Sequence, residues 1–125
     1  IETKKPFLGI CLGLQALFET SEESPGAKGL CIFKGRVVKF REGKVPQIGW
    51  NEIMPKKNGI FRVGYVYFVN SYYVVPEDKS IIATITDYYG DFVSAVQCGN
   101  ITAMQFHPEK SGKFGLELLR RWLRC

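Results

Sequence analysis

No stretch of this 125-residue chain approaches the roughly 18 consecutive apolar residues that a membrane-spanning helix requires, so such a helix is not expected. Histidine is nearly absent: His107 stands alone, far in sequence from all four cysteines, Cys11, Cys31, Cys98 and Cys125. Those cysteines form no Cys-x-x-Cys pair, which argues against a zinc centre. They are also too sparse for a disulfide framework, and their usage fits a reducing, cytoplasmic setting. No secretory leader is visible, because Ile1-Glu2-Thr3-Lys4-Lys5 runs straight into a short apolar stretch without a cleavage pattern. Low-complexity tracts, internal repeats and linkers are missing too, so a single domain is expected over residues 1–125. The basic excess is mild, 17 Lys and Arg against 12 Asp and Glu, and is scattered as Lys4-Lys5, Lys56-Lys57 and Arg120-Arg121. Without a patch or a recognition motif, it reads as a solvated surface rather than a nucleic-acid face, with room for an anionic partner.

What is present is an ordinary globular composition, 46% hydrophobic and 23% charged, enough for one sizeable core. Phe7-Leu8-Gly9-Ile10 reads as a buried strand, of the kind found in a parallel sheet with neighbours on both sides. Leu14, Leu17 and Phe18 recur at helical spacing and predict a helix from Leu12 to about Glu22, stopped by Ser24-Pro25-Gly26. The middle of the chain reads as strands: 30–40, 47–53, 65–69 and 81–86, with turns at Lys57-Asn58-Gly59 and Pro76-Glu77-Asp78. Cys98-Gly99-Asn100 marks a hairpin between 93–96 and 101–106. A closing helix begins near Ser111, and Phe114, Leu118, Leu119, Trp122 and Leu123 predict a wide buried face. The class is therefore mixed α/β.

Two segments carry chemistry. In Gly9-Ile10-Cys11-Leu12-Gly13 a thiol stands between strand and helix, with glycines two positions to either side, the pattern of a nucleophile elbow. A helix N-terminus there favours thiolate over thiol, and the Leu12 N–H is placed to hold an oxyanion. A buried structural cysteine beside a packing glycine is the competing reading. The second segment is Phe106-His107-Pro108-Glu109. Residues two apart in extended chain point to one side, so the Glu109 carboxylate can orient the His107 imidazole while Pro108 stiffens the pair. A base with its orienter, together with a thiol at an elbow, makes a nucleophilic triad.

Lys5-Pro6-Phe7-Leu8-Gly9-Ile10-Cys11-Leu12-Gly13-Leu14-Gln15 and Gln105-Phe106-His107-Pro108-Glu109-Lys110-Ser111 closely resemble the class I, or triad, glutamine amidotransferases. Pro46-Gln47-Ile48-Gly49-Trp50-Asn51-Glu52 and Tyr67-Phe68-Val69-Asn70-Ser71-Tyr72 narrow the resemblance to the glutaminase subunits of imidazole glycerol phosphate synthase, in histidine biosynthesis. The resemblance covers essentially the whole chain. It implies a flavodoxin-like α/β domain, of which this is the C-terminal portion: a mixed sheet with flanking helices. It implies glutamine as substrate, with Cys11 as nucleophile, His107 as acid and base, and Glu109 as orienter. Ammonia would pass to a cyclase subunit with a (β/α)₈ barrel, and no cofactor is needed. Gln15, Glu23 and the backbone of Ser71 and Tyr72 match substrate-contacting positions, while Trp50 and Tyr67 match positions near the cyclase interface. Asn70 departs from the histidine of many relatives. Family members also begin well before this point, with βα units and a Pro-Gly-x-Gly loop that completes the oxyanion hole. Two alternatives follow: a silent fragment that only docks on the cyclase, or a glutaminase serving another synthase.

Overall fold

A computed structural model describes residues 5–124; Lys4 of the first basic pair and Cys125 lie outside the described residues. Among the described residues nine strands form one mixed sheet. β1 (Phe7–Ile10) runs parallel to β9 (Ile101–Met104), and β9 pairs antiparallel with β8 (Asp91–Cys98). Beyond β8 lie β7 (Ile82–Asp87), β4 (Gln47–Pro55) and β5 (Gly64–Asn70), each antiparallel to the last. A second wing leaves β8 at Val93, through β6 (Tyr72–Pro76), β3 (Gly35–Lys39) and the two-residue β2 (Thr20–Ser21). All four residues of β9 are buried, as befits a strand with neighbours on both sides. Among the described residues β1 has a neighbour on one side only, where the apolar run predicted two.

β9 feeds two cores because successive side chains alternate between faces. Met104, with the following Phe106, joins Phe68, Phe92, Ile53, Val66 and Leu118 on one side. Ala103 and Ile101 join Leu14, Leu17, Phe18, Val37 and Val74 on the other. Phe68 meets Phe92 and Phe106 edge to face, with centroids 5.7 and 5.8 Å apart. Each such fully buried side chain contributes about 1.5–3 kcal/mol of transfer free energy. Helix α2 (Gly112–Arg124) covers the first core.

Three sequence expectations need correction. The first helix, α1, spans only Leu12–Gln15. Leu17 and Phe18 are buried as expected, but the carbonyls of Ala16 and Leu17 accept from the N–H groups of Leu30, Ile32 and Phe33. The helical ladder therefore stops, and Thr20–Ser21 joins the sheet instead. Two acids within the expected helical span serve as backbone acceptors instead: Glu19 Oε1 takes the Gly35 N–H at 3.0 Å, and Glu22 Oε1 the Lys39 N–H at 2.7 Å. Second, the strand expected over 30–40 is confined to Gly35–Lys39, since Leu30, Ile32 and Phe33 spend their N–H groups on those carbonyls. Third, the apolar face of α2 is narrower than its pattern suggests. Leu118 is fully buried, but Leu123 is 73% exposed.

The short turn Pro108–Lys110 packs directly under α2. A Cβ at Gly115 would stand 1.9 Å from the Pro108 carbonyl oxygen, so only glycine lets the helix approach. Alanine there gains about 1 kcal/mol of helix propensity. It also forces overpacking against backbone, costing about 1–3 kcal/mol or more. Gly115→Ala is expected to lower the denaturation midpoint, whereas Leu116→Ala, at an exposed position of the same helix, stays within about 0.5 kcal/mol of the parent. Chemical denaturation of the three proteins checks this.

Candidate active site

β1 delivers Cys11. Its N–H continues the β1–β9 ladder by one bond, to the Met104 carbonyl at 2.8 Å, and the backbone then turns abruptly. Cys11 adopts φ 56° and ψ −106°, a conformation that costs a non-glycine residue about 1–3 kcal/mol. The turn is tight: a Cβ at Gly9 would lie 3.1 Å from the Gly13 backbone and 3.2 Å from the Ala103 side chain. This is the strained strand-to-helix elbow that the glycine spacing predicts.

β9 delivers the rest. The parallel register sets Ile10 beside Met104, so Cys11 lies beside Gln105, and His107 follows two residues on. His107 is anchored through its backbone. Its N–H donates to the Tyr67 carbonyl at 3.0 Å, and its carbonyl accepts from Ser111 Oγ at 2.6 Å. Ser111 Oγ in turn accepts the Tyr67 N–H at 2.9 Å. Past His107 the chain enters the Pro108–Lys110 turn, which places Glu109 Oε2 3.0 Å from His107 Nδ1. The imidazole and carboxylate are thus paired, though by a tight turn at Pro108–Lys110 rather than by the extended segment that the sequence reading assumed.

Cys11 Sγ and His107 do not hydrogen-bond to one another among the described residues. The sulfur instead lies 4.0 Å from the Val69 carbonyl and 3.6 Å from Gln105 Nε2. Burial pushes the Cys11 thiol above the ordinary thiol range. The Leu12 N–H and the Gln105 amide oppose that shift, while Glu109 and Glu23 add to it. The sequence expectation of a helix-stabilised thiolate therefore needs correction: a helix of four residues supplies little dipole, and desolvation outweighs it.

Gln15, on the inward side of α1, donates from Nε2 to the Tyr72 carbonyl at 3.3 Å and to Gln105 Oε1 at 3.0 Å. Leu12 is 65% exposed and, with Gln15, Ser21, Glu23 and Lys28, lines a cavity of about 310 Å³. Glu23 is exposed and follows the short helix rather than ending it. Ser71 and Tyr72 lie where β5 passes into β6, but their carbonyls are already used. That of Ser71 accepts from the Phe40 N–H, and that of Tyr72 from Gln15 and Asn70. Trp50 is 57% exposed on β4 and meets the cross-strand Tyr67 edge to face, with centroids 6.0 Å apart. Tyr67 therefore joins this surface to the backbone of His107.

Sequence reasoning gave no role to Gln105, Ser111 or Gln47. Gln47 and Asn70 are buried, and their amides form a ladder. Asn51 donates to Gln47 Oε1, Gln47 to Asn70 Oδ1, and Asn70 to the Tyr72 carbonyl, at 3.0, 3.0 and 3.1 Å. The available signal for Gln105 was a lone amide in an otherwise apolar run to Phe106.

The family model for glutamine amidotransferase class-I matches residues 1–124. The chain belongs to the class-I glutamine amidotransferase family. It is 56% identical over 130 residues to the imidazole glycerol phosphate synthase subunit HisH of Pyrococcus furiosus, covering 99% of this chain and 67% of that protein. It is 52% identical over 130 residues to the HisH subunit of Aquifex aeolicus, covering 99% and 63%. The chain thus spans about two thirds of the length of these curated relatives. Among solved structures, a glutamine amidotransferase from Thermotoga maritima shares the fold at 21% identity, with TM-score 0.63, over 98% of this chain and 47% of that one.

Because the Cys11 thiol is partly buried and held protonated, it is expected to react with iodoacetamide at neutral pH more slowly than the exposed Cys31 and Cys98. Its rate rises as the medium becomes alkaline enough to ionise it. Peptide mass mapping across a pH series reads Cys11, Cys31 and Cys98 in one sample, and a Cys11 that alkylates fastest of these at neutral pH contradicts the assignment.

Proposed function

We propose that the polypeptide is the glutaminase subunit of an imidazole glycerol phosphate synthase, hydrolysing glutamine and handing ammonia to a cyclase subunit. The observation that carries this reading is the pairing of a strained Cys11 elbow with the His107–Glu109 turn on adjacent, parallel-registered strands. The relatives named HisH support the choice of synthase.

In this reading the substrate carboxamide lies against Cys11. His107 accepts the thiol proton, and the thiolate attacks the carboxamide carbon to give a tetrahedral oxyanion. The Leu12 N–H faces that oxygen. Collapse breaks the carbon–nitrogen bond, His107 returns its proton to the departing nitrogen, and ammonia leaves a γ-glutamyl thioester. Water then gives a proton to His107 and attacks the thioester, releasing glutamate and the thiol. Glu109 holds Nδ1 of His107, so that Nε2 faces the reacting atoms. Gln15 spends its NH₂ on Tyr72 and Gln105, which directs its Oε1 as an acceptor toward substrate N–H groups. Glu23 attracts the substrate ammonium group, and the backbone at Ser71 and Tyr72 borders the substrate. Trp50 and Tyr67, with the exposed Ile48 beside them, form the cyclase-facing surface. The reaction belongs in the cytoplasm, in a heterodimer whose paired activity is that of a lyase.

Glutamine hydrolysis by the full-length polypeptide, with and without cyclase, tests this. Cys11→Ala is expected to abolish ammonia release. His107→Asn should lower turnover by about 10²–10⁴-fold, while Glu109→Gln should lower it less, through a misoriented imidazole. Equal ammonia release by parent and Cys11→Ala would reduce the protein to a docking module.

A further inference from the structure

Gln105 is fully buried, one residue beyond the end of β9, with its own N–H donated to the Ser94 carbonyl at 2.8 Å. A buried side-chain amide costs free energy unless its donors and acceptor are matched. One of its groups is spent on the Cys11 sulfur at 3.6 Å. A thiol is a weak acceptor and a thiolate a strong one. A donor aimed there does little at rest and much more once the sulfur is charged, which is the differential binding that accelerates a reaction.

The direction of that amide is fixed by logic as well as by proximity. A backbone carbonyl can only accept, so the Tyr72 carbonyl requires the NH₂ of Gln15. The same NH₂ also faces Gln105, whose oxygen must therefore point toward it. The Gln105 NH₂ is left facing Cys11. With the opposite flip, an amide oxygen would confront the sulfur and repel a developing thiolate.

We propose that Gln105 is a side-chain hydrogen-bond donor to the Cys11 sulfur, and that Gln15 acts as a positioning residue that locks Gln105 in the donating orientation. Its catalytic consequence rests on the glutaminase reading; the hydrogen bond itself does not. The charged groups acting on Cys11 from the neighbouring elements are Glu23, after α1, and Glu109, on the turn with His107, and both disfavour the anion. Two neutral amide donors, the Leu12 N–H and Gln105, work against them.

The test is the pH–rate profile of Cys11 alkylation by iodoacetamide in the full-length polypeptide, with Cys31 and Cys98 as internal references. Gln105→Met keeps the length of the side chain and removes the donor. It should move the Cys11 profile upward by about one pH unit, a roughly tenfold slower reaction at neutral pH. Gln105→Glu should move it further, and Gln15→Leu, which frees the Gln105 amide to flip, by less in the same direction. The Cys31 and Cys98 profiles should stay where they are. A Gln105→Met profile that overlays the parent or moves downward overturns the proposal. If that variant does not fold, a Gln15→Leu profile that overlays the parent overturns it equally. Turnover with glutamine separates the two readings. A shifted profile in a protein whose parent releases no ammonia leaves this inference standing and removes the glutaminase, whereas an unshifted profile beside normal parental turnover does the reverse.

Discussion

Four residue pairs, from Phe7 with Ile101 to Ile10 with Met104, hold β1 against β9, and the N–H of Cys11 adds one more bond to the Met104 carbonyl. Everything chemical in the molecule depends on that register. Cys11 comes from the start of the chain and His107 from near its end. Only the parallel alignment sets the thiol beside Gln105 and two residues from His107. A slip of one residue would turn every side chain of β1 to the opposite face, carrying Leu8 and Ile10 out of one core and Phe7 out of the other. The hydrophobic alternation that builds the two cores therefore also fixes the geometry of the site.

The second constraint is electrostatic. The thiol is withdrawn from water far enough that burial holds it protonated, and two carboxylates lie within its field. Neutral amides oppose them. The Leu12 N–H is fixed by the elbow, and Gln105 is fixed through Gln15 by a backbone carbonyl. The ladder of Asn51, Gln47 and Asn70 ends on that same carbonyl, so β4, which carries Trp50 on its outer side, is tied to the strand end that orients Gln15. None of these amides titrates, so the framework around the thiol keeps its donors as pH changes.

Much of this was legible in the residues. Glycine spacing around Cys11 encoded the elbow because a φ of 56° needs small neighbours, and Gly9 does lie hard against Gly13. The His107–Glu109 pairing was also legible, although the sequence suggested an extended segment where the chain makes a tight turn. Features set by distant partners were less visible. The helix after Cys11 read as too long, since nothing local shows that Leu30, Ile32 and Phe33 would take its carbonyls. Strand β6 went unassigned because Tyr72–Pro76 follows so closely on β5. Gln105 and Ser111 stood out only as part of a motif, without a contact assigned, since their partners, Cys11 and Tyr67, lie 94 and 44 residues away. The helix dipole was overvalued for the same reason: its strength depends on a helix length that tertiary contacts decide.

Acylation of a single thiol is the most direct test of an active site assembled by the β1–β9 register. The full-length polypeptide, mixed with the cyclase subunit and glutamine, is quenched in acid, and its cysteine peptides are weighed. The account predicts a γ-glutamyl group on Cys11 and none on Cys31 or Cys98. An adduct on either of those two, or sustained ammonia release from a protein in which Cys11 never carries one, would contradict it.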